Sequence, residues 1–254
     1  MANLVYGSTD LSAIGAFATP ELSGLLDLVT MEQAETWLPG RDAPALTDVR
    51  RRFPDIRCRC VLRADNGARA TFLSNLATLK AALSPALGPL FLTRSDVSGK
   101  RLLVQSLGFP VNEDTLPYIM EIGEFTLTFR RLGWWEDSSA QTATVAAGDA
   151  SGSITNSGQL VAYPTYTCTV GAGALASGLT FTVGGDTFTY DGALDAADVL
   201  VVETDLPSVS LNGTTAIADT ATNSDFPVLA VGANTVTDKT VGFTLGASWR
   251  RRYE

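Results

Sequence analysis

The first half of the chain contains short stretches in which hydrophobic and polar residues alternate. In the clearest stretch, Ile56–Leu62, the even-numbered positions are apolar and Arg57 and Arg59 occupy odd ones. Alternation with period two predicts a half-buried β-strand, and Arg63 extends its arginine-lined outer face. That face is either simply solvated or pairs with an acidic partner. Further strands are predicted at Leu4–Tyr6, Leu90–Leu92, Arg101–Leu107 and Phe125–Phe129.

One segment has helical spacing instead. Thr71–Ser84 places apolar residues three or four positions apart, and Pro85 follows as a stop signal. This pattern predicts one amphipathic helix at about 71–84 that packs on a sheet. The apolar residues of its stripe are Phe72, Leu73, Leu76, Leu79 and Leu83.

The second half shows no helical period after residue 158. Short strands separated by glycine turns, such as Asn212–Gly213, are typical of a sandwich or jelly roll. The clearest strand is Val241–Trp249, whose odd-numbered residues are all apolar and are predicted to face one side. The others are predicted at Tyr166–Val170, Leu179–Val183, Thr187–Tyr190, Val199–Glu203 and Val209–Leu211.

Between the two halves the composition changes. Residues 136–157 lack aromatic side chains and are rich in Ser, Ala, Thr and Gly, as in a linker or a small-residue edge strand. We therefore expect a mainly β protein: a β-rich α+β inner domain with one helix at 1–137, a linker at 138–155, and an all-β sandwich at 156–254. The loop around Trp37–Pro44, with two prolines, predicts an extended arm, at about 30–55.

Charge is divided unevenly between the halves. Residues 1–135 hold 14 basic and 14 acidic residues, whereas residues 136–254 hold 4 and 13 and so carry the whole net charge of −9. An acidic second half argues against a surface there that grips nucleic acid.

The chain contains no histidine. A Ser-His-Asp or Cys-His catalytic centre and a histidine zinc site are therefore excluded within it. A carboxylate mechanism is open, but no motif singles out a pair among the 27 acids. We expect no enzyme activity, no catalytic or metal-binding residue and no cofactor. Cys58, Cys60 and Cys168 are expected to be buried small hydrophobes, and no export signal or membrane span is expected.

Six pieces of the second half, in their order and spacing, resemble the outer galectin-like domain of siphophage distal tail proteins. They are Asn156–Gly158, Ala162–Pro164, Asp198–Asp205, Leu211–Gly213, Asp225–Asn234 and Trp249–Tyr253. In the first half, Pro39–Asp42 is similar to the family's Gly-Arg-Asp segment in its belt arm. A helix followed by the Phe-x-Leu-x-Phe strand at 125–129 also fits the family's inner domain.

The resemblance implies a structural protein of the virion tail, made in the host cytoplasm. Members form a hexameric ring that joins the tail tube to the tail tip or baseplate hub and lines a channel for DNA. In some relatives the outer domains are platforms for receptor-binding or tail fibre proteins. For the arm contact we expect Trp37, Arg41 and Asp42, and for an interface with a tail neighbour Arg57, Arg59 and Arg63. DNA is expected to pass without specific binding, and no membrane partner is expected.

The alternative function is a carbohydrate-binding adhesin or lectin-like module. Tyr163, Tyr166, Tyr190 and Phe226 could stack on sugars if they face solvent, or they pack inside the sandwich. Residues 160–240 contain no Arg or Trp, and the chain has no His. The sugar-binding set of a true galectin is therefore missing, and a galectin-like fold would be a likeness of shape.

Overall fold

The computed structural model describes residues 4–14, 16–23, 30–36, 45–63, 69–95, 97–108 and 122–254. Within these residues the chain is mainly β with one α-helix, so the predicted fold class is confirmed. Contacts divide the chain into two compact units, Met1–Trp135 and Glu136–Glu254.

The first unit contains one large sheet in the order β2-β1-β7-β8-β9-β6-β3. The registers of β2–β1, β1–β7, β7–β8, β9–β6 and β6–β3 are antiparallel. The strands of the chain up to the second unit are β1 (Leu4–Tyr6), β2 (Thr9–Asp10), β3 (Ala16–Ser23), β4 (Thr30–Thr36), β5 (Ala45–Arg52), β6 (Ile56–Arg63), β7 (Leu90–Arg94), β8 (Lys100–Ser106) and β9 (Ile122–Asp137), whose last two residues enter the second unit.

Burial along β6 follows the predicted alternation. Ile56, Cys58, Cys60 and Leu62 are buried, whereas Arg57 and Arg59 are exposed. The helix α1 (Arg69–Ala82) packs against β6 and buries Phe72, Leu76 and Leu79.

The helix begins and ends two residues earlier than predicted. The inclusion of Leu73 in its buried stripe was wrong, because this side chain is 46% exposed. At about 100° per residue, Leu73 points away from the side that Phe72, Leu76 and Leu79 share.

Strands β4 and β5 form a separate two-stranded antiparallel sheet. Its register runs from Thr30 opposite Arg52 to Thr36 opposite Ala45, with an irregularity at Ala34–Glu35. The hairpin therefore occupies the segment predicted as an arm. The connecting residues 37–44, with Trp37, Arg41 and Asp42, lie outside the described part of the chain.

The second unit is a sandwich of two antiparallel sheets, with the orders β10-β19-β12-β15-β16-β17 and β11-β18-β13-β14. Phe181 of the smaller sheet packs against Tyr166 of the larger one, with ring centroids 5.2 Å apart. The strands are β10 (Gln141–Val145), β11 (Gly152–Asn156), β12 (Thr165–Val170), β13 (Leu179–Val183), β14 (Asp186–Tyr190), β15 (Val199–Glu203), β16 (Ser208–Leu211), β17 (Thr214–Thr215), β18 (Gly232–Thr237), β19 (Phe243–Trp249) and β20 (Arg252–Tyr253).

The expected linker at 138–155 is corrected by the structure. β10 is an edge strand of the larger sheet and β11 an edge strand of the smaller one, so the sandwich begins well before residue 156. An edge strand buries few side chains. In these two strands Val145 and Ile154 are the apolar residues that become buried, so their composition resembles that of a linker. The structure thus selects the small-residue edge strand, the other interpretation of this segment.

The predicted Asn212–Gly213 turn closes the β16–β17 hairpin, because Leu211 pairs with Thr214. Both turn residues have positive φ, +51° and +81°, as a two-residue hairpin loop requires. The Asn212 side chain also accepts a hydrogen bond from the Val199 N–H and donates one to Asp198. That donated bond is the main cause that lowers the pKa of Asp198.

Two buried asparagines connect β11 and β18 to neighbouring loops. Asn156 donates its amide to the carbonyls of Leu160 and Leu229 and accepts a bond from the Gly158 N–H. Asn234 makes a similar set of bonds, reaching Ala230 and Ile154. The two side-chain amides thus hydrogen-bond to backbone atoms of β11 and of the neighbouring loops, and their own polar groups are satisfied although they are buried.

The beginning and the end of the second unit are held together around Asp137. Its buried carboxylate accepts hydrogen bonds from Arg251 Nε and from the hydroxyl of Tyr253. Its backbone N–H donates to the Arg251 carbonyl, and the Arg250 guanidinium donates to the carbonyls of Asp137 and Ser138. We refer to Asp137, Arg250, Arg251 and Tyr253 as the Asp137 cluster.

Asn156→Ala should lower the free energy of unfolding of the second unit by about 2–4 kcal/mol, because it removes the bonds that the buried amide makes to the Gly158 N–H and to the carbonyls of Leu160 and Leu229. Urea unfolding of the full chain, with hydrogen exchange of β11 and β18 to locate the loss, measures the effect. Ser153→Ala, on the exposed face of β11, is the matched control. Equal stability of the two variants would contradict the role given to Asn156.

Asp137→Asn should destabilise the second unit by about 1–3 kcal/mol, because it replaces charge-assisted bonds to Arg251 with neutral ones. The measurement is the unfolding midpoint of the full chain, compared with that of Asp225→Asn, which removes an exposed loop charge. A loss no larger than that of the control would show that the charge of Asp137 is dispensable.

Candidate functional site

The structure places only part of the predicted interface set. Arg57 and Arg59 are exposed on one face of β6. Arg63 is the last residue of the same strand, and its side chain is outside the described residues, as is the whole of Trp37, Arg41 and Asp42. The contacts assigned to all six residues therefore stay predictions.

The outer face of the first sheet carries two arginines, Arg101 and Arg130, beyond those predicted from the sequence as interface residues. Arg57 and Arg59 lie opposite Thr128 and Thr126 of β9, and Arg130 is exposed two residues further along that strand. On β8, the Arg101 guanidinium lies 3.6 Å from the centroid of the Phe91 ring. Among the described side chains that β6, β8 and the first-unit part of β9 present on this face, none is a carboxylate. The alternation of β8 and β9 was the sequence signal that could have added Arg101 and Arg130.

Arg131 has a different environment, inside the first unit. It is buried, donates from Nε to the Gly133 carbonyl, and lies 5.1 Å from the Phe53 ring centroid and 5.8 Å from that of Trp134. Burial lowers its pKa. This arginine is enclosed by aromatic rings and does not belong to the exposed face.

The cysteines offer no reactive group. Cys58, Cys60 and Cys168 are buried and unbridged, and burial raises the pKa of all three, that of Cys60 to about 12. Their thiols therefore stay protonated near neutral pH. The described residues include no group of three or more metal-ligating side chains, and no helix among them has the length and apolarity to cross a membrane.

Of the four aromatic residues considered for sugar stacking, three pack inward. Tyr166 and Tyr190 are fully buried, and Phe226 packs against Phe188 with ring centroids 5.9 Å apart. Tyr163 is the exception, because 41% of its surface is exposed. The interior interpretation is therefore confirmed for three residues and wrong for Tyr163.

Tyr163 lines an open pocket of about 280 Å³ within the second unit. Thr165 of β12 and Ser248 of β19 are paired neighbours on the outer face of the larger sheet and form part of its lining. The remaining lining residues are Glu136, Ala140, Asp205, Trp249, Arg250 and Arg252. The pocket therefore combines an accessible aromatic ring with carboxylates, hydroxyls and guanidiniums.

Tyr163 was a candidate for sugar stacking from the sequence, but the other residues that line the pocket were not. These residues come from four separated parts of the sequence, so no local motif joins them. The available signal was the Trp249–Tyr253 segment at the chain end, which holds three of the second unit's four basic residues.

Comparison with known protein families identifies the second unit. Residues 157–253 match the model of the siphovirus-type tail component, C-terminal domain. Among curated proteins, no sequence matches this chain.

Comparison with solved structures concerns the whole chain. The SPP1 Dit protein, described as a paradigm of the hub adsorption apparatus in phages that infect Gram-positive bacteria, matches with a TM-score of 0.75 at 14% identity. The match covers 98% of this chain and 99% of that protein, which establishes a shared fold.

A chain of the phage p2 baseplate in its activated conformation is also similar, over 99% of this chain and 98% of its own length. Its TM-score is 0.49 and its identity 7%, a level that does not establish a common fold. The family match over residues 157–253 and the Dit fold confirm the resemblance seen in the sequence: the C-terminal domain of this chain is similar to that of siphovirus-type tail components.

Proposed function

We propose that six copies of this chain close a ring at the distal end of a siphophage tail tube. The ring connects the tube to the tail tip or baseplate hub and lines the channel through which DNA passes. The observation that supports this most is the tail component match over residues 157–253, in a chain that has the Dit fold over 98% of its length. The role is structural and requires no catalytic step.

The β4–β5 hairpin supports a closed assembly. A two-stranded sheet by itself is marginally stable in water, and these two strands form no part of the large sheet. Packing against a neighbouring subunit would supply the missing support. Trp37, Arg41 and Asp42 lie in the connection between these strands, where they would make that contact.

Two further surfaces are assigned to tail partners. The arginine face of the first sheet, with Arg57, Arg59 and Arg63, is proposed to meet the tail tube protein or the tip protein through acidic groups. The second unit is proposed to support receptor-binding or tail fibre proteins. A net charge of −9 fits a conduit, because tight DNA binding needs many phosphate contacts from Lys and Arg.

The alternative, a lectin-like module, retains one supporting observation. Tyr163 is an exposed aromatic residue in a polar pocket, next to Asp205. This observation concerns the second unit alone and is compatible with the ring-forming function proposed for the chain.

The purified full chain, or the chain mixed with its tail tube protein as a template, should form particles of six copies. Six chains of 26.8 kDa have a mass of about 161 kDa. Native mass spectrometry gives the copy number, and negative-stain microscopy should show an open centre. A monomer that persists in the presence of the tube protein would contradict the ring.

Arg41→Ala combined with Asp42→Ala should shift the ring toward smaller species at least tenfold, because both polar anchors of the arm are removed. The readout is the concentration at which half of the chains are assembled. Arg69→Ala with Asp225→Ala removes one exposed residue of each charge elsewhere and should leave that concentration unchanged. Unchanged assembly of the arm variant would reject the arm contact.

A further inference from the structure

The pocket around Tyr163 has features that a structural role in the tail does not use. All nine lining residues belong to the second unit, and all but Ala140 carry a polar group. Its volume of about 280 Å³ lies at the lower end of the ~300–1,000 Å³ typical of small-molecule sites. A ligand of one or two small rings would fill it.

The two arginines of the pocket are already engaged. Arg250 donates to the carbonyls of Asp137 and Ser138, and the Arg252 guanidinium lies 5.1 Å from the centroid of the Tyr163 ring. They form fixed walls, and the stacked guanidinium holds the Tyr163 ring in place. Trp249, which is 5% exposed, forms a further rigid part of the lining.

Other polar groups of the pocket are not used inside the protein. Within residues 122–254, the Asp205 carboxylate and the hydroxyls of Thr165 and Ser248 form no hydrogen bond in this structure. A carboxylate is an acceptor with room for two donors, and each hydroxyl both donates and accepts. The groups left for a ligand are therefore mainly acceptors, placed beside a partly accessible aromatic ring.

This combination selects among ligand classes by charge and shape. A phosphate or another anion meets the carboxylates of Glu136 and Asp205, and a metal cation meets the two guanidiniums. A ligand that is neutral, offers several O–H donors and has an apolar C–H face satisfies every group. A pyranose ring has these features: its hydroxyls bond to the acceptors while its C–H face packs on the aromatic ring.

We infer that the Tyr163 pocket is a binding site for a neutral saccharide, with Tyr163 as the stacking residue and Asp205 as the main acceptor. Arg252 is a positioning residue that acts through Tyr163. The site differs from the set expected of a true galectin, which residues 160–240 lack. The biological role of this site rests on the proposed function, because a saccharide site at the tail tip would meet the sugars of a cell surface.

The test uses the full chain and defined probes. The chain is applied to an array of neutral oligosaccharides built from glucose, galactose and N-acetylglucosamine, and any hit is measured by isothermal titration calorimetry. Inorganic phosphate is titrated as the anionic probe. At least one neutral oligosaccharide should bind, and phosphate should not.

Four variants then decide whether the pocket is responsible. Tyr163→Ala and Asp205→Ala should each weaken binding about tenfold or more, whereas Tyr163→Phe, which keeps the ring, should stay within about twofold. Val241→Ala removes apolar surface at an exposed position near the far end of β19 and should change nothing. All three substituted positions are exposed, so unfolding is not expected to hide the result.

Three outcomes would overturn the inference. They are an array without hits, saccharide binding that survives Tyr163→Ala and Asp205→Ala, and substitutions that weaken binding of a tail protein while no saccharide binds. Failure here can be separated from failure of the ring. A 161 kDa ring that binds no saccharide refutes the pocket alone, and a monomer that binds one refutes the ring alone.

Discussion

Phe181 lies where the two sheets of the second unit meet, and the rest of that unit depends on its burial. Its ring centroid is 5.2 Å from that of Tyr166, 5.3 Å from Phe188 and 6.5 Å from Phe243. Tyr166 and Phe243 belong to the larger sheet and Phe188 to the smaller one. Because aromatic rings bury large apolar areas, this group fixes which faces of β12, β13, β14 and β19 point inward.

Once the inner faces are fixed, the outer faces and the two ends of the sandwich are the surfaces that partners or ligands can reach. Arg250–Arg252 follow Trp249, at the end of β12 where Thr165 pairs with Ser248. Asp195 and Asp198 precede β15, whose first residue pairs with Thr169 near the other end of β12. The Asp137 cluster and the Tyr163 pocket lie at the end that carries the three arginines, together with the carboxylates of Glu136, Asp137 and Asp205. The clustering of positive charge reflects structure as much as function, since two of the three arginines hold the beginning of the unit to its end.

In the first unit, the helix packs on the inner side of the sheet, and the outer side carries the exposed arginines of β6 and β9. Arg57 and Arg59 owe their exposure to the burial of Cys58 between them and of Cys60 after them in the strand. No local sequence feature assigns a function to these two arginines. The arginine face forms because β8 and β9 place Arg101 and Arg130 on the same side of the sheet. The β4–β5 hairpin differs from these strands, because it is a regular element that does not join the large sheet of the described residues.

By itself, the sequence determined the class of the fold, the strands with strict alternation, the helix within two residues at each end and the Asn212–Gly213 turn. These features follow from local periodicity and backbone preference, which a single segment contains in full. The ordered pieces of the second half also carried the resemblance to siphophage distal tail proteins, because these pieces are specific together.

Only the tertiary structure decided that 138–155 is sandwich, that Leu73 faces solvent, and that Tyr163 alone of the four aromatics is accessible. It also assembled the pocket and the Asp137 cluster. Both join residues about 90–115 positions apart, Asp137 with Arg251 and Tyr163 with Arg252. Such contacts depend on strand order and on which sheet each edge strand joins. Both are set by burial summed over the whole unit, which no window of the sequence contains.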